Sequence, residues 1–270
     1  MNIRVLSYNI HKGIGGRDRR YRLQRVADVI AHEQPDVICL QEVDRHARRS
    51  RFDNQAELLA EQFHPADKLF QFVFGKPRLG ARRDTSNAGT QAHVEPGYGN
   101  LILSRWPFLE HHQVSLTLRT KKPRGAQWAV INAPAGPLRI VNWHLGLAER
   151  ERQWQVRRLL EHHLFRPHAH LPTLIIGDTN DWRNTLIRGP FAVHGYQLVT
   201  SPPSRFRSFP AYLPIGSLDK AFTHGPFESV HARIAHSKLA RDASDHLPLV
   251  VDLALAPTVP DRSLPQGPPV

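Results

Sequence analysis

One cysteine, Cys39, is all that this chain of 270 residues contains, so an internal disulfide framework is excluded. Its position inside an apolar run marks it as a core residue. No apolar run is long enough to cross a bilayer. The opening Met1-Asn2-Ile3-Arg4-Val5 enters a strand at once with no apolar signal segment, and the expectation is a cytoplasmic protein. No internal repeat at a fixed period is present. Zinc-site spacing is missing as well: His111, His112, His162, His163, His168 and His170 form pairs and a His-x-His without companion carboxylates or cysteines, and read as surface residues.

Acidic residues are also in short supply. Asp plus Glu number 24 against 36 Lys plus Arg, a formal charge of +12, which predicts a positive surface and attraction to polyanions. Nucleic acid is the favoured partner and anionic membrane lipid the alternative; no obligate protein partner is implied. The excess is clustered at Arg17 to Arg25, Arg45 to Arg51, Lys76 to Arg83 and Arg119 to Arg124. Any one cluster reads as a solvated face. Two of them directly follow motifs described below, which suggests a field over a site.

One large domain over 1–256 is expected, because the chemistry-bearing motifs run from residue 9 to residue 246 without a linker-like gap. The stretch 257–270 is rich in proline and reads as a disordered tail. Leu23, Val26, Ala27 and Ile30 at helical spacing predict a helix from Tyr21 to Gln34, stopped by Pro35. Further helices are expected over Gln55 to Phe63 and Glu149 to Leu164. The middle reads as strands at Gln71 to Phe74, Leu101 to Leu103, Gln113 to Leu118 and Trp128 to Ile131, with a long irregular connection from Gly80 to Gly97. Strands on short turns with a few long helices predict an α/β fold of two packed sheets flanked by helices.

Five apolar runs border polar motifs. Ile3 to Leu6 leads into Ser7-Tyr8-Asn9, Val37 to Leu40 into Gln41-Glu42, Leu138 to Val141 into Asn142-Trp143-His144, and Leu174 to Ile176 into Gly177-Asp178-Thr179-Asn180. In the fifth the order is reversed: Ser244-Asp245-His246 precedes Leu247 and Leu249 to Leu253, so a strand of opposite direction would return His246 to the same rim. Packing alone does not explain a rim that collects these residue types. Asp178 and Asn180, two apart, can face one site, the first as general base or water holder and the second as a donor to developing negative charge. Glu42 and Asn9 are hard oxygen ligands suited to Mg²⁺ or Mn²⁺. His144 and His246 add donors that can be charged near neutral pH, and Asp219 is placed to orient His246. Gly97-Tyr98-Gly99-Asn100 is either a simple turn or an amide set beside a phosphate. Together these residues point to metal-dependent hydrolysis of a phosphate ester.

Taken in order, Ser7-Tyr8-Asn9-Ile10, Leu40-Gln41-Glu42-Val43, Gly177-Asp178-Thr179-Asn180 and Ser244-Asp245-His246-Leu247-Pro248-Leu249 resemble the endonuclease/exonuclease/phosphatase superfamily over nearly all of residues 3–253. The resemblance implies a four-layer α/β sandwich with two mixed sheets and a Mg²⁺ site near Glu42 and Asn9, with Asp245 close to the metal. It implies that Asp178 positions or deprotonates water, that Asn180 and His144 bind the scissile phosphate, and that Asp219 pairs with His246. Asn100, with Tyr98 before it, looks like the family's asparagine on the phosphate side. Thr179 departs from the motif, which usually carries an apolar or aromatic residue there, and should affect packing more than chemistry. Trp182-Arg183 and Phe209-Pro210 look like the short bacterial members, whose substrate is open. Three readings follow: a Mg²⁺-dependent phosphodiesterase acting on nucleic acid, the same chemistry on an anionic lipid or phosphoinositide headgroup, and a catalytically silent binding module.

Overall fold

The structure, a computed structural model, describes residues 2–74 and 97–256. The proline-rich tail and nearly all of the long connection before Gly97 lie outside the described residues. The chain begins with β1 (Asn2–Asn9), α1 (Leu23–Glu33), β2 (Val37–Arg45), α2 (Gln55–Phe63), β3 (Asp67–Phe74) and β4 (Gly97–Ser104). It continues through β5 (Phe108–Ser115), β6 (Gly125–Ala133), β7 (Gly136–His144), α3 (Glu149–Leu160), β8 (Thr173–Asp178), α4 (Pro190–Val193) and β9 (Gln197–Leu198). The last elements are β10 (Asp219–His224), β11 (Phe227–Ile234), α5 (Lys238–Ala243) and β12 (Leu249–Leu255).

These strands form two six-stranded sheets, ordered β11-β12-β1-β2-β4-β3 and β5-β6-β7-β8-β10-β9. Each has a single parallel pair near its centre, β1 with β2 and β7 with β8, and antiparallel neighbours elsewhere. Parallel neighbours end at the same rim. Asn9 therefore lies level with Gln41, and His144 with Asp178. β12 runs antiparallel to β1, the reversal that the fifth motif required.

The main core is continuous from α1 and α2 through the first sheet to the facing side of the second. A second apolar cluster, with Trp128, Trp143, Phe191 and Phe222, fills the space between the second sheet and α3 and α4. The result is the expected four layers. Burying side chains of this size contributes roughly 2–3 kcal/mol each. In α1 the buried residues Val26, Ala27, Val29 and Ile30 follow the predicted stripe, and the helix closes on Gln34 in a left-handed conformation ahead of Pro35.

Several boundaries differ from the sequence expectation: β3 begins at Asp67 rather than Gln71, and β4 at Gly97 rather than Leu101, so Gly97-Tyr98-Gly99-Asn100 is strand and not a simple turn. α3 stops at Leu160 rather than Leu164, and the chain turns through His162 to Phe165, whose ring packs edge-on against Trp128 at 5.3 Å. The strand expected from Gln113 to Leu118 is β5, which begins at Phe108. It is an edge strand whose exposed and less exposed residues alternate, so its pairing with β6 extends it through polar residues that no apolar run marks. Among the described residues no helix is long and apolar enough to cross a membrane.

Candidate active site

Asp178 occupies the middle of the rim because of strand register. It is level with His144 on the parallel side and with Asp219 on the antiparallel side. Gly177 makes that position attainable: its φ is +144°, and a Cβ there would lie 2.2 Å from the carbonyl oxygen of Trp143. The Asp178 carboxylate is buried and well partnered. Oδ2 accepts from Asn9 Nδ2 at 3.0 Å, across the gap between the sheets, and lies 3.3 Å from His144 Nε2 and 3.7 Å from His246 Nε2. Oδ1 accepts the backbone N–H of Asn180 at 3.0 Å. Burial pushes the Asp178 pKa up, against the pull of His246.

His246 is braced from behind. Its Nδ1 lies 2.8 Å from Asp219 Oδ2, and the same oxygen accepts from Ser208 Oγ at 2.5 Å. Burial alone would discharge the imidazole, but Asp219 and Asp178 outweigh it and raise its pKa. His144 goes the other way: burial, with Arg124 as the next contribution, takes it well below the usual histidine range. The two histidines expected to act as similar donors thus divide into a charged His246 and a neutral His144.

Glu42 sits in a bulge where the β2–β4 register shifts between Leu40 and Val43, with φ at +58°. Its carboxylate is paired with Lys12 from the turn after β1. Burial opposes ionisation; a charged His144 would lower the Glu42 pKa most, and with His144 neutral it is the paired Lys12 ammonium that holds the pKa below the usual carboxylate range. Gln41 does different work. Its Nε2 donates to Asn142 Oδ1 at 2.7 Å and to Ser7 Oγ at 3.1 Å, while Asn142 Nδ2 donates to the carbonyls of Leu40 and Leu101. This fully buried pair ties one sheet to the other directly behind Glu42 and His144.

The remaining predicted residues fall into place unevenly. Asn180 is held at φ +51° and spends one amide hydrogen on the Leu145 carbonyl at 3.0 Å, leaving the other for a ligand. Asn100 is buried, and its amide donates to Gln71 Oε1 at 3.3 Å and to the Gly125 carbonyl at 3.0 Å, so the atom left over is an acceptor. Tyr98 receives Arg124 Nη1 on its hydroxyl at 3.4 Å. Thr179, the departure from the family motif, is fully buried and satisfied by the Leu218 carbonyl at 2.7 Å. Asp245 faces His11 Nε2 at 3.8 Å, and Ser244 Oγ anchors that stretch to the Asn9 carbonyl at 2.7 Å.

The metal residues fit a hard divalent cation of modest protein ligation. Among the described residues no group of three or more His, Cys, Asp or Glu side chains forms a ready cage. What exists is one fully ionised carboxylate, Glu42, with amide oxygen from Asn9 and a second carboxylate, Asp245, beside the turn that carries His11 and Lys12. Mg²⁺ suits such a set, because it binds through one or two carboxylates and keeps several waters.

Four residues of the site carry no motif. Ser208 lies in a loop and announces itself only by its contact with Asp219. Lys12 follows Asn9 by three residues in an ordinary-looking turn. Arg124 and Lys122 belong to a cluster noted above for charge alone, yet Arg124 is buried beside Asn100 and His144 with its Nε unpartnered. Its only signal is being a cation at the start of an apolar strand.

Known proteins resemble this chain in sequence and fold. YbhP, an uncharacterized protein of Escherichia coli K12, is 27% identical over 261 residues, covering 94% of this chain and 97% of YbhP. The crystal structure of an endonuclease/exonuclease/phosphatase from Beutenbergia cavernae superposes with a TM-score of 0.74 at 22% identity, over 94% of this chain and 72% of that one. Truncated TDP2 of Caenorhabditis elegans gives 0.65 at 17% identity, over 95% and 98%. The family model matches residues 6–246, from the middle of β1 to His246, and the chain belongs to the Endonuclease/Exonuclease/phosphatase family.

Proposed function

We propose that this protein hydrolyses phosphodiesters with the help of a divalent cation, Mg²⁺ or Mn²⁺, held by Glu42, Asn9 and Asp245. The observation that carries the reading is the environment of Asp178: one buried carboxylate with Asn9, His144 and His246 within 3.0–3.7 Å. Burying an unpaired carboxylate costs several kcal/mol, and a site that raises the pKa of one suits it to take a proton.

Asp178 holds a water and accepts its proton as the water oxygen forms the new P–O bond and the ester oxygen leaves. His246, kept charged by Asp219 and Asp178 and held in place through the Ser208–Asp219 hydrogen bond, donates to a phosphoryl oxygen, and the free amide hydrogen of Asn180 donates to another. Neutral His144 supplies one N–H without adding a competing charge. Arg124 and Lys122 stabilise the negative charge that accumulates. When bound, the cation would act as a Lewis acid on the phosphoryl and departing oxygens.

The positive field suits two polyanions. The nucleic-acid reading rests on charge alone. The lipid-headgroup reading has the same charge and an apolar edge beside His246 in its favour, and is carried further below. A panel of phosphate esters, including DNA, RNA and glycerophosphodiesters, assayed with and without chelator, tests the chemistry. At least one diester should be cleaved, and EDTA should abolish cleavage until Mg²⁺ or Mn²⁺ is restored; turnover that persists in EDTA contradicts the assigned metal role.

A further inference from the structure

The ten large hydrophobic side chains most exposed on the described surface are unevenly placed. Five lie along one edge of the catalytic rim: Leu147 at 75% exposure, Leu213 at 64%, Ile215 at 62%, and Trp182 and Tyr212 at 56% each. Scattered exposed hydrophobics are ordinary, but a contiguous group marks an interaction site.

Ring contacts and hydrogen bonds place these segments around one corner of the rim. The Trp182 ring lies against Gly216, where a Cβ would come within 2.7 Å of it, and its centroid is 6.2 Å from that of Phe209. Phe209 in turn packs on His246 at 4.9 Å. The loop bearing Tyr212, Leu213 and Ile215 is pinned to the catalytic stretch by Ala211 N–H to the Asp245 carbonyl at 2.7 Å and Leu247 N–H to the Ser208 carbonyl at 2.8 Å. Leu147 joins the same corner: its carbonyl accepts from Arg152, whose guanidinium also reaches Asp181 beside Trp182. Among the aromatics Trp106, Phe108, Phe206, Phe209 and Tyr212, only Tyr212 is largely exposed. The others are partly or fully packed, and the exposed surface comes instead from Trp182 and the aliphatics.

The loop side of the edge is basic, whereas Leu147 is followed by exposed Glu149 and Arg150. Residues 182–218 contain no Asp or Glu and four arginines, Arg183, Arg188, Arg205 and Arg207, all exposed. Arginine around exposed Trp, Tyr, Leu and Ile is the composition of a surface that lies on an anionic bilayer: the aliphatics enter the acyl boundary, the aromatics sit at headgroup level, and the cations meet the lipid phosphates. Nucleic acid would explain the arginines and could stack on Trp182 and Tyr212, but bases gain little from Leu147, Leu213 and Ile215.

We propose that this edge docks the protein on an anionic phospholipid surface and presents the adjacent catalytic rim to headgroup phosphodiesters. The inference deepens the lipid reading of the hydrolase proposed above, and its test separates docking from chemistry. Vesicles of phosphatidylcholine with phosphatidylglycerol should pellet the wild-type protein, and vesicles of phosphatidylcholine alone should not. Leu213→Asp/Ile215→Asp should lower the partition coefficient by about tenfold or more, and Arg205→Gln/Arg207→Gln should lower it and flatten its salt dependence. Hydrolysis of soluble bis(p-nitrophenyl) phosphate, the readout of chemistry, should stay within about twofold in both double variants, because neither pair belongs to the site. The proposal is overturned if the wild type does not pellet, or if the Asp variant pellets as the wild type does. It is equally overturned if the Asp variant loses affinity for single-stranded DNA by the same factor, or if light scattering shows a wild-type dimer that the variant abolishes. Those last two results would make the edge a stacking face or a self-association face.

Discussion

Asp219 touches His246 directly and acts on the reaction chiefly through it, which makes it the clearest single-residue prediction. Its carboxylate, together with Asp178, holds the imidazole charged against burial. Asp219→Asn keeps a hydrogen-bond acceptor and removes the charge, so the His246 pKa falls. The protonated form is then lost at lower pH, and the basic limb of the rate–pH profile should move toward acid, with kcat down by about 10². An unmoved limb alongside an unmoved histidine resonance in an NMR titration would refute this assignment. Most of these residues were legible in the sequence, because Asn9, Glu42, His144, Asp178 and His246 each border an apolar run that buries itself. Ser208, Lys12 and Arg124 were not: the first two are isolated polar residues in loops, the third is one of a basic cluster before a strand, and only the fold brings them to the site.

At the scale of the strand, β8 and β10 carry constraints that the chemistry uses but does not perform. Gly177 holds a backbone conformation closed to other residues, with the Trp143 carbonyl where a side chain would start. Gly177→Ala should cost more than about 2 kcal/mol in chemical denaturation; a loss below half of that would mean that β7 and β8 give way easily. Lys220, next to Asp219 but on the opposite face, is fully buried and donates to the Ser217 carbonyl. Burial takes its pKa down to about 8, against the pull of Asp181, Asp219 and Asp178. Below that pH the folded state bears a penalty on the order of 3 kcal/mol for keeping the ammonium charged. The penalty fades as pH rises from about 8 toward the unfolded value of 10.5. The melting temperature of the wild type relative to Lys220→Met should therefore rise between pH 7.5 and pH 9.5; a constant or falling difference contradicts it. The strand β10 itself was hidden in the sequence, because a lysine and an aspartate interrupt its apolar pattern, and the two-residue β9 gives no periodic signal at all.

The molecule as a whole is two sheets whose rims meet, with Gln41 and Asn142 fixing their separation and Asp178 where the strand ends converge. The class of fold followed from five apolar runs and three helical stripes, since these record burial directly. The pairing order of the sheets did not, because it depends on contacts between strands far apart in the chain. Charge is also a property of the whole: a formal +12 predicts that binding of any polyanionic substrate weakens steeply with added salt. The direct test of the account is single-site: kcat of Asp178→Ala on the diester that the wild type cleaves best, at saturating Mg²⁺, with folding verified by an unchanged circular dichroism spectrum. The account predicts a loss of about 10² to 10⁴-fold. A folded Asp178→Ala protein that turns over at the wild-type rate would contradict it.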